Sequence, residues 1–255
     1  MIEEILPAEV VAVEAMRDWF AITLFEEEEV AIGRAVEKRR REFGTGRACA
    51  RLALMGLGFP CVSIPAGASG EPRWPRGVVG SITHCTGYRA CAVAPAEKVG
   101  TVGIDAEPNE PLGDSLLDEI ASAEEQSSLS ALSKVEPAIC WDRLLFSAKE
   151  SVYKAWFPLA RRWLGFEDVV VTVDPSACTF RARLLVAGPS PGGLPLTGFS
   201  GRWLVRDGLV LTAIAVANPA CAPSRSVPVS TRRAPDQRER IKERSDPATS
   251  GTVRP

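Results

Sequence analysis

The sequence holds one histidine in 255 residues, His84, so a histidine-rich metal site is impossible and any histidine-based catalytic triad could be built only around that residue. Its seven cysteines, at 49, 61, 85, 91, 140, 178 and 221, are odd in number and include no C-x-x-C pair, which points away from a disulfide framework and from a zinc knuckle. Long apolar runs are missing too. None approaches the roughly 18 residues of a spanning helix, and the acidic N-terminus carries no secretion-signal pattern, so a cytoplasmic protein is expected. No P-loop and no dinucleotide-binding glycine fingerprint occurs, which removes the common nucleotide folds. A strong charge of either sign is absent as well. The net charge is −2, and residues 219–255 hold eight Lys/Arg against four Asp/Glu, leaving −6 for residues 1–218. The folded part therefore has no bulk nucleic-acid footprint.

What is present is an ordinary globular composition, 45% hydrophobic and 24% charged, in a chain long enough to bury a substantial core. Apolar spacing predicts a short helix over 7–20 and a longer helical stretch opened by Glu26–Glu29, where acids suit the positive end of the helix dipole. Gly44 and Gly46 are expected to break that stretch in two. Strands are expected over 78–83, 88–94 and 99–107. Ser122-Ala123-Glu124-Glu125 has the form of a capping box, and a helix is expected to start at Pro137 and end at Pro158. Four strands follow, over 168–173, 179–186, 196–206 and 209–217, with Asp207-Gly208 as a hairpin turn. The run 90–95 resembles 213–219 in texture, which suggests two related halves. Beyond residue 218, Pro, Ser and Arg dominate, and a disordered tail is expected.

Two stretches organise the chemistry. In Val102-Gly103-Ile104-Asp105-Ala106-Glu107 a buried strand ends in two acids, and residues two apart on a strand share a face. In Phe146-Ser147-Ala148-Lys149-Glu150-Ser151-Val152-Tyr153-Lys154 a helical pattern sets Glu150 and Lys154 one turn apart. If Glu150 meets the acid pair, three carboxylates and two lysines surround one point. Three oxygen ligands with open positions suit Mg²⁺, which completes its shell with water and phosphate. Arg39, Arg47 and Arg51 fall near one helical stripe and could bind phosphate, while Thr83 and His84 sit at a turn where a ligand can be reached. Each piece alone has a plainer reading. Glu150–Lys154 could be a surface pair worth about 0.3–0.5 kcal/mol, the arginines a solvated face, and Trp141, Trp156 and Trp163 core or helix-packing residues.

As a set, these motifs resemble those of the 4′-phosphopantetheinyl transferases. The likeness runs from about Lys38 to Pro219 and includes Lys38-Arg39-Arg40 with Arg47, Gly70-Glu71-Pro72 with Trp74-Pro75, Gly80-Ser81-Ile82-Thr83-His84-Cys85, and the two stretches above. It implies an α+β, pseudo-duplicated fold of two subdomains, each an antiparallel sheet packed with helices. The expected division is 1–106 for coenzyme A binding, 107–218 for the metal and the catalytic helix, and 219–255 for the tail.

The resemblance further implies transfer of the phosphopantetheine arm of coenzyme A to a serine of an apo acyl, polyketide or peptidyl carrier protein, with release of adenosine 3′,5′-bisphosphate. Asp105, Glu107 and Glu150 would hold Mg²⁺, or Mn²⁺ in its place. Arg39, Arg47 and His84 would bind the phosphates of coenzyme A with Thr83 nearby, and Lys149 and Lys154 would face the pyrophosphate. Glu150 is the candidate base, with Lys154 beside it in the chemistry. Family members often carry a lysine near the Gly-Glu/Lys-Pro turn. Here the residues are Ala68-Ser69-Gly70-Glu71, and Arg73 is the candidate substitute. A monomer is implied; from their position between the acid strand and the catalytic helix, residues 113–135 are expected to dock the carrier. Two alternatives remain at this point: a non-catalytic coenzyme A or carrier-binding module, and a Mg²⁺-dependent pyrophosphate-cleaving enzyme.

Overall fold

The computed structural model describes residues 1–190 and 195–218, so the expected tail lies outside the described residues. Strand β3 (Tyr88–Pro95) is buried almost end to end because both of its faces are covered. Cys91 and Val93 point to the helix α2 (Glu37–Gly56), meeting Cys49, Ala50, Ala53 and Leu54. The alternate residues Tyr88, Ala90, Ala92 and Ala94 pack on Val102, Ile104, Leu209 and Leu211. That period of two is what a strand imposes, and the small alanines let the layers approach. With β1 (Val11–Ala15) and β2 (Val78–Cys85) on its flanks, β3 forms an antiparallel sheet in the order β1-β3-β2.

The second sheet is also antiparallel, with β4 (Val99–Pro108) followed in space by β8 (Leu209–Ala217), β7 (Gly198–Arg206), β6 (Thr179–Leu184) and β5 (Val169–Asp174). Val102, Ile104 and Ala106 of β4 face the small sheet, which leaves Thr101, Gly103, Asp105 and Glu107 for the opposite face. There lies α5 (Trp141–Ala160), whose Trp141, Leu144, Leu145, Ala148, Val152, Ala155 and Trp156 fill the core of this half. Gly103 permits the approach: a Cβ there would stand 2.1 Å from the Ser151 carbonyl oxygen and 2.7 Å from the Ala155 nitrogen. Thr101 fixes the contact by donating to the Ala155 carbonyl at 2.7 Å. The remaining helices are α1 (Glu26–Ile32), α3 (Asp114–Ile120) and α4 (Ala123–Val135).

The structure departs from the sequence expectations in several places. The segment expected as a helix over 7–20 contains β1, paired residue by residue with β3 from Val11↔Val93 to Ala15↔Arg89. A partner some eighty residues away outweighs a local helical period. Helix α2 runs unbroken through Gly44 and Gly46, whose bare α-carbons admit Ile22 and Ile82 at 3.4 and 3.3 Å from where a Cβ would stand. The break falls earlier, between Ile32 and Glu37. Helix α5 begins at Trp141 rather than at Pro137, and carries Pro158 inside its last turn before stopping at Arg161 in the left-handed region. The chain passes from the small sheet to the large one between Pro95 and Val99, and residue 106 lies inside β4.

Candidate active site

Helix α5 lies across β4 so that Lys154 reaches the acid strand. Its ammonium donates to Asp105 Oδ1 at 2.6 Å and to the Ile104 carbonyl at 3.2 Å. Asp105 is 4% exposed, and its Oδ2 is buried without a hydrogen-bond partner. Beside it, Glu107 receives Arg143 at 3.3 Å, and Arg143 also donates to the carbonyls of Glu110 and Pro111. Burial first, and then the negative charge of Asp105, push the Glu107 carboxyl up to about 7. Burial likewise raises Glu150, with the Lys154 charge opposing and Asp105 reinforcing the shift. The Glu150 carboxylate makes no hydrogen bond or ion pair among the described residues.

The three acids thus form one electrostatic group that is short of positive charge. No three His, Cys, Asp or Glu side chains among the described residues close around a point as a ready-made cation cage. Nonetheless the donor set is all oxygen, and the bare Asp105 Oδ2 is a position that a cation would satisfy, so the residues present fit a hard divalent ion.

Glu150 and Lys154 open onto a cleft of about 720 Å³. Its walls include Arg73 and Trp74 from the turn before β2, Ser81 and Ile82 from β2, and Tyr153 and Phe157 from α5. Trp74 is fixed by its indole N–H, which donates to the Gly80 carbonyl at 3.0 Å. Arg73, the candidate for the lysine missing from the Gly70-Glu71-Pro72 turn, is exposed on this wall.

At the end of β2, His84 Nε2 is hydrogen-bonded to the Arg39 guanidinium. Crowding by the surrounding chain, followed by the positive charge of Arg39, Lys154 and Arg89, holds the imidazole down at about 4. The side chain itself is exposed. Glu42 stands 3.9 Å from Arg39 and 3.4 Å from Arg89 and ties this corner to the small sheet. Arg47 lies one helix face away, 5% exposed, with its guanidinium 4.1 Å from the centre of the Phe43 ring and its Nε unpartnered. Burial lowers it to about 10, still a cation at neutral pH.

Two residues do something other than expected. Lys149 is 3% exposed, and its three donors go to Glu125 Oε2 at 3.0 Å and to the carbonyls of Ile120 and Phe166 at 2.6 and 3.0 Å. An ammonium has three hydrogens, so none is left for a pyrophosphate. Thr83 is 2% exposed and its hydroxyl is committed to protein partners. Trp163, expected in the core or against a helix, is 73% exposed with its ring centre 4.9 Å from that of Tyr153 on α5, whereas Trp141 and Trp156 are buried.

Sequence reasoning overlooked Arg143, although it stands two helical turns before Glu150 and therefore on its face. It also overlooked Tyr153, which sits between the two motif residues, and Ser81.

Comparison with known proteins gives the family. Residues 26–94 match the family model for the 4′-phosphopantetheinyl transferase N-terminal domain, and residues 101–188 match that of the 4′-phosphopantetheinyl transferase superfamily. The chain is 54% identical to 4′-phosphopantetheinyl transferase Svp of Streptomyces mobaraensis over 77% of its own length and 80% of that protein. It is 48% identical to the transferase Npt of Nocardia iowensis, over 85% of this chain and all of the relative. With the transferase PptT of Mycobacterium tuberculosis it shares 45% identity, over 84% of this chain and 97% of that one. The chain belongs to the 4′-phosphopantetheinyl transferase superfamily. It is accordingly an enzyme of the class that moves the phosphopantetheine arm of coenzyme A onto apo carrier proteins. Among the described residues no helix is long and apolar enough to cross a membrane.

Proposed function

We propose that the transfer is divalent-cation dependent, releases adenosine 3′,5′-bisphosphate, and takes place over Asp105, Glu107 and Glu150. The reading rests on one observation above others: a buried, unpartnered Asp105 Oδ2 electrostatically coupled to Glu107 and to Glu150, the last of which lines a large cleft. Asp105, Glu107 and Glu150 would hold Mg²⁺ or Mn²⁺. When bound, that ion neutralises the non-bridging pyrophosphate oxygens and orients them for in-line displacement.

The chain's own residues divide the remaining work. Arg39 and His84 form a donor pair for a phosphate group of coenzyme A, with Arg47 behind them and Arg73 on the opposite wall. Lys154 carries the positive charge nearest the reacting pyrophosphate. Glu150, raised by burial and free of partners, accepts the proton of the attacking serine hydroxyl. The serine oxygen bonds to the pantetheine-side phosphorus, the bond from that phosphorus to the bridging oxygen breaks, and adenosine 3′,5′-bisphosphate leaves with the bridging oxygen. The acceptors are acyl, polyketide or peptidyl carriers, approached by a monomer with residues 113–135 facing the carrier.

Intact-mass measurement of an apo acyl and an apo peptidyl carrier, each incubated with the protein, coenzyme A and Mg²⁺, tests this. A gain of one phosphopantetheine group that is lost with EDTA and with Asp105→Ala is expected. Transfer that survives both treatments would overturn the cation reading. Coenzyme A cleaved without a modified carrier would instead indicate a pyrophosphate-cleaving enzyme.

A further inference from the structure

Strand β4 is the edge strand of its sheet, so alternate backbone groups along its outer side have no neighbouring strand to pair with. Three of them are satisfied by side chains. The Ile104 N–H donates to Ser81 Oγ at 3.1 Å and the Ala106 N–H to Thr83 Oγ1 at 3.1 Å. The carbonyl between them, that of Ile104, accepts from Lys154. Both hydroxyls come from β2, on alternate residues of one face, and both are buried, at 3% and 2% exposure. The two sheets are thus joined along β4 by a seam of two hydroxyls where a strand would otherwise stand.

Thr83 does more than close the edge. Its single hydroxyl hydrogen goes to Asp105 Oδ1 at 3.2 Å, while its lone pairs face the Ala106 N–H and, at 3.4 Å, the Lys154 ammonium. That uses the full capacity of a hydroxyl and leaves nothing for a phosphate oxygen. With Thr83 and Lys154 both on Oδ1, Oδ2 alone lacks a donor.

We propose that Ser81 and Thr83 are positioning residues for the acid strand: the two hydroxyls lock β4 and the Asp105 carboxylate so that one oxygen is anchored and the other is kept for the cation. The proposal rests on the reading of Asp105 as a cation ligand, and it assigns Thr83 away from coenzyme A. Ligand-orienting partners of this kind typically account for about 10–100-fold in metal affinity.

The test is Mn²⁺ binding followed by electron paramagnetic resonance in the absence of coenzyme A, for wild type, Ser81→Ala, Thr83→Val and Thr83→Ser. Coenzyme A binding is measured separately in EDTA. Thr83→Val is expected to weaken Mn²⁺ by about 10–100-fold and Ser81→Ala by less. Thr83→Ser, which keeps the hydroxyl, should restore wild-type Mn²⁺ affinity, and coenzyme A affinity in EDTA should be unchanged throughout. Wild-type Mn²⁺ affinity in both Thr83→Val and Ser81→Ala would overturn the proposal, as would a loss in Thr83→Val confined to coenzyme A. A wild-type protein that takes up no Mn²⁺ would instead overturn the cation reading beneath it. Near-UV circular dichroism checks the fold, and should Thr83→Val fail to fold, Ser81→Ala carries the test.

Discussion

In each half of the molecule a short helix precedes a long one, and the same joint is built twice. Glu28, third residue of α1, accepts from the Phe25 N–H at 3.1 Å and from the distant Ile64 N–H at 2.8 Å, and pairs with Arg51 of α2 at 2.9 Å. Glu125, third residue of α4, accepts from the Ser122 N–H at 2.8 Å and from the distant Val171 N–H at 2.8 Å, and pairs with Lys149 of α5 at 3.0 Å. Both glutamates and their cations are buried. One acid therefore caps its own helix, anchors a remote segment and neutralises a cation on the long helix.

The halves differ in what the next cation does. On α2, Arg47 is one turn from Arg51, stays on the same side and stacks on Phe43. On α5, Lys154 is five residues from Lys149, about 140° round the helix, and emerges on the β4 side into the cleft. On α5, position around the helix, and not membership of a motif, separates the cation of the fold from the cation that reaches the cleft.

The sharpest break of this comparison is Arg51→Met, which strands Glu28 as a buried charge and should cost about 3–5 kcal/mol in urea unfolding. Arg47→Ala should spare more of that stability and instead weaken coenzyme A about tenfold or more by calorimetry, through loss of a charged hydrogen bond. Equal destabilisation with unchanged coenzyme A affinity would place Arg47 in the fold.

A second effect, nearly as large, depends on pH. Because the Glu107 carboxyl is raised from 4.5 to about 7, the folded chain holds a proton that the unfolded chain has released over that range. Stability of the cation-free protein therefore falls as pH rises from about 4.5 to 7, by roughly 3 kcal/mol from this group. Unfolding in EDTA should show that decline in wild type and a flatter profile in Glu107→Gln. Parallel profiles would remove the electrostatic crowding argued for the acids.

The smallest effect concerns the joint itself. Ser122 caps α4 through its hydroxyl, accepting from the Glu125 N–H at 3.3 Å, while Phe25 offers α1 no such side chain. Ser122→Ala should cost about 1 kcal/mol. A loss well above that would mean that the cap also sets the Glu125–Lys149 pair.

Much of this was legible in the sequence. The Asp105/Glu107 face of β4, the helix carrying Glu150 and Lys154, the capping box at Ser122 and the Asp207-Gly208 hairpin all follow from periods and turn chemistry of a few residues. What could not be read depends on partners far away in the chain. Lys149 stands beside Glu150 and so was grouped with the site, yet the acceptors that claim it are Glu125, Ile120 and Phe166. Strand β1 owes its form to β3, and Ser81 its role to the edge of β4. Residue type alone leaves Trp163 open between the core and a helix surface, and the outward turn of the chain after Arg161 puts it on the surface beside Tyr153 of α5.

The most direct measurement sets Lys149→Met beside Lys154→Met, with urea unfolding and single-turnover carrier modification recorded on each protein. Lys149→Met is predicted to lose about 3–5 kcal/mol of stability while the folded fraction still modifies the carrier within about tenfold of wild type. Lys154→Met, which leaves the buried Asp105 with Thr83 as its remaining donor, is predicted to lose transfer by about a hundredfold or more in the folded fraction, whatever it loses in stability. A stable Lys149→Met that cannot transfer, or an active Lys154→Met, would contradict the division between a cation of the fold and a cation of the site.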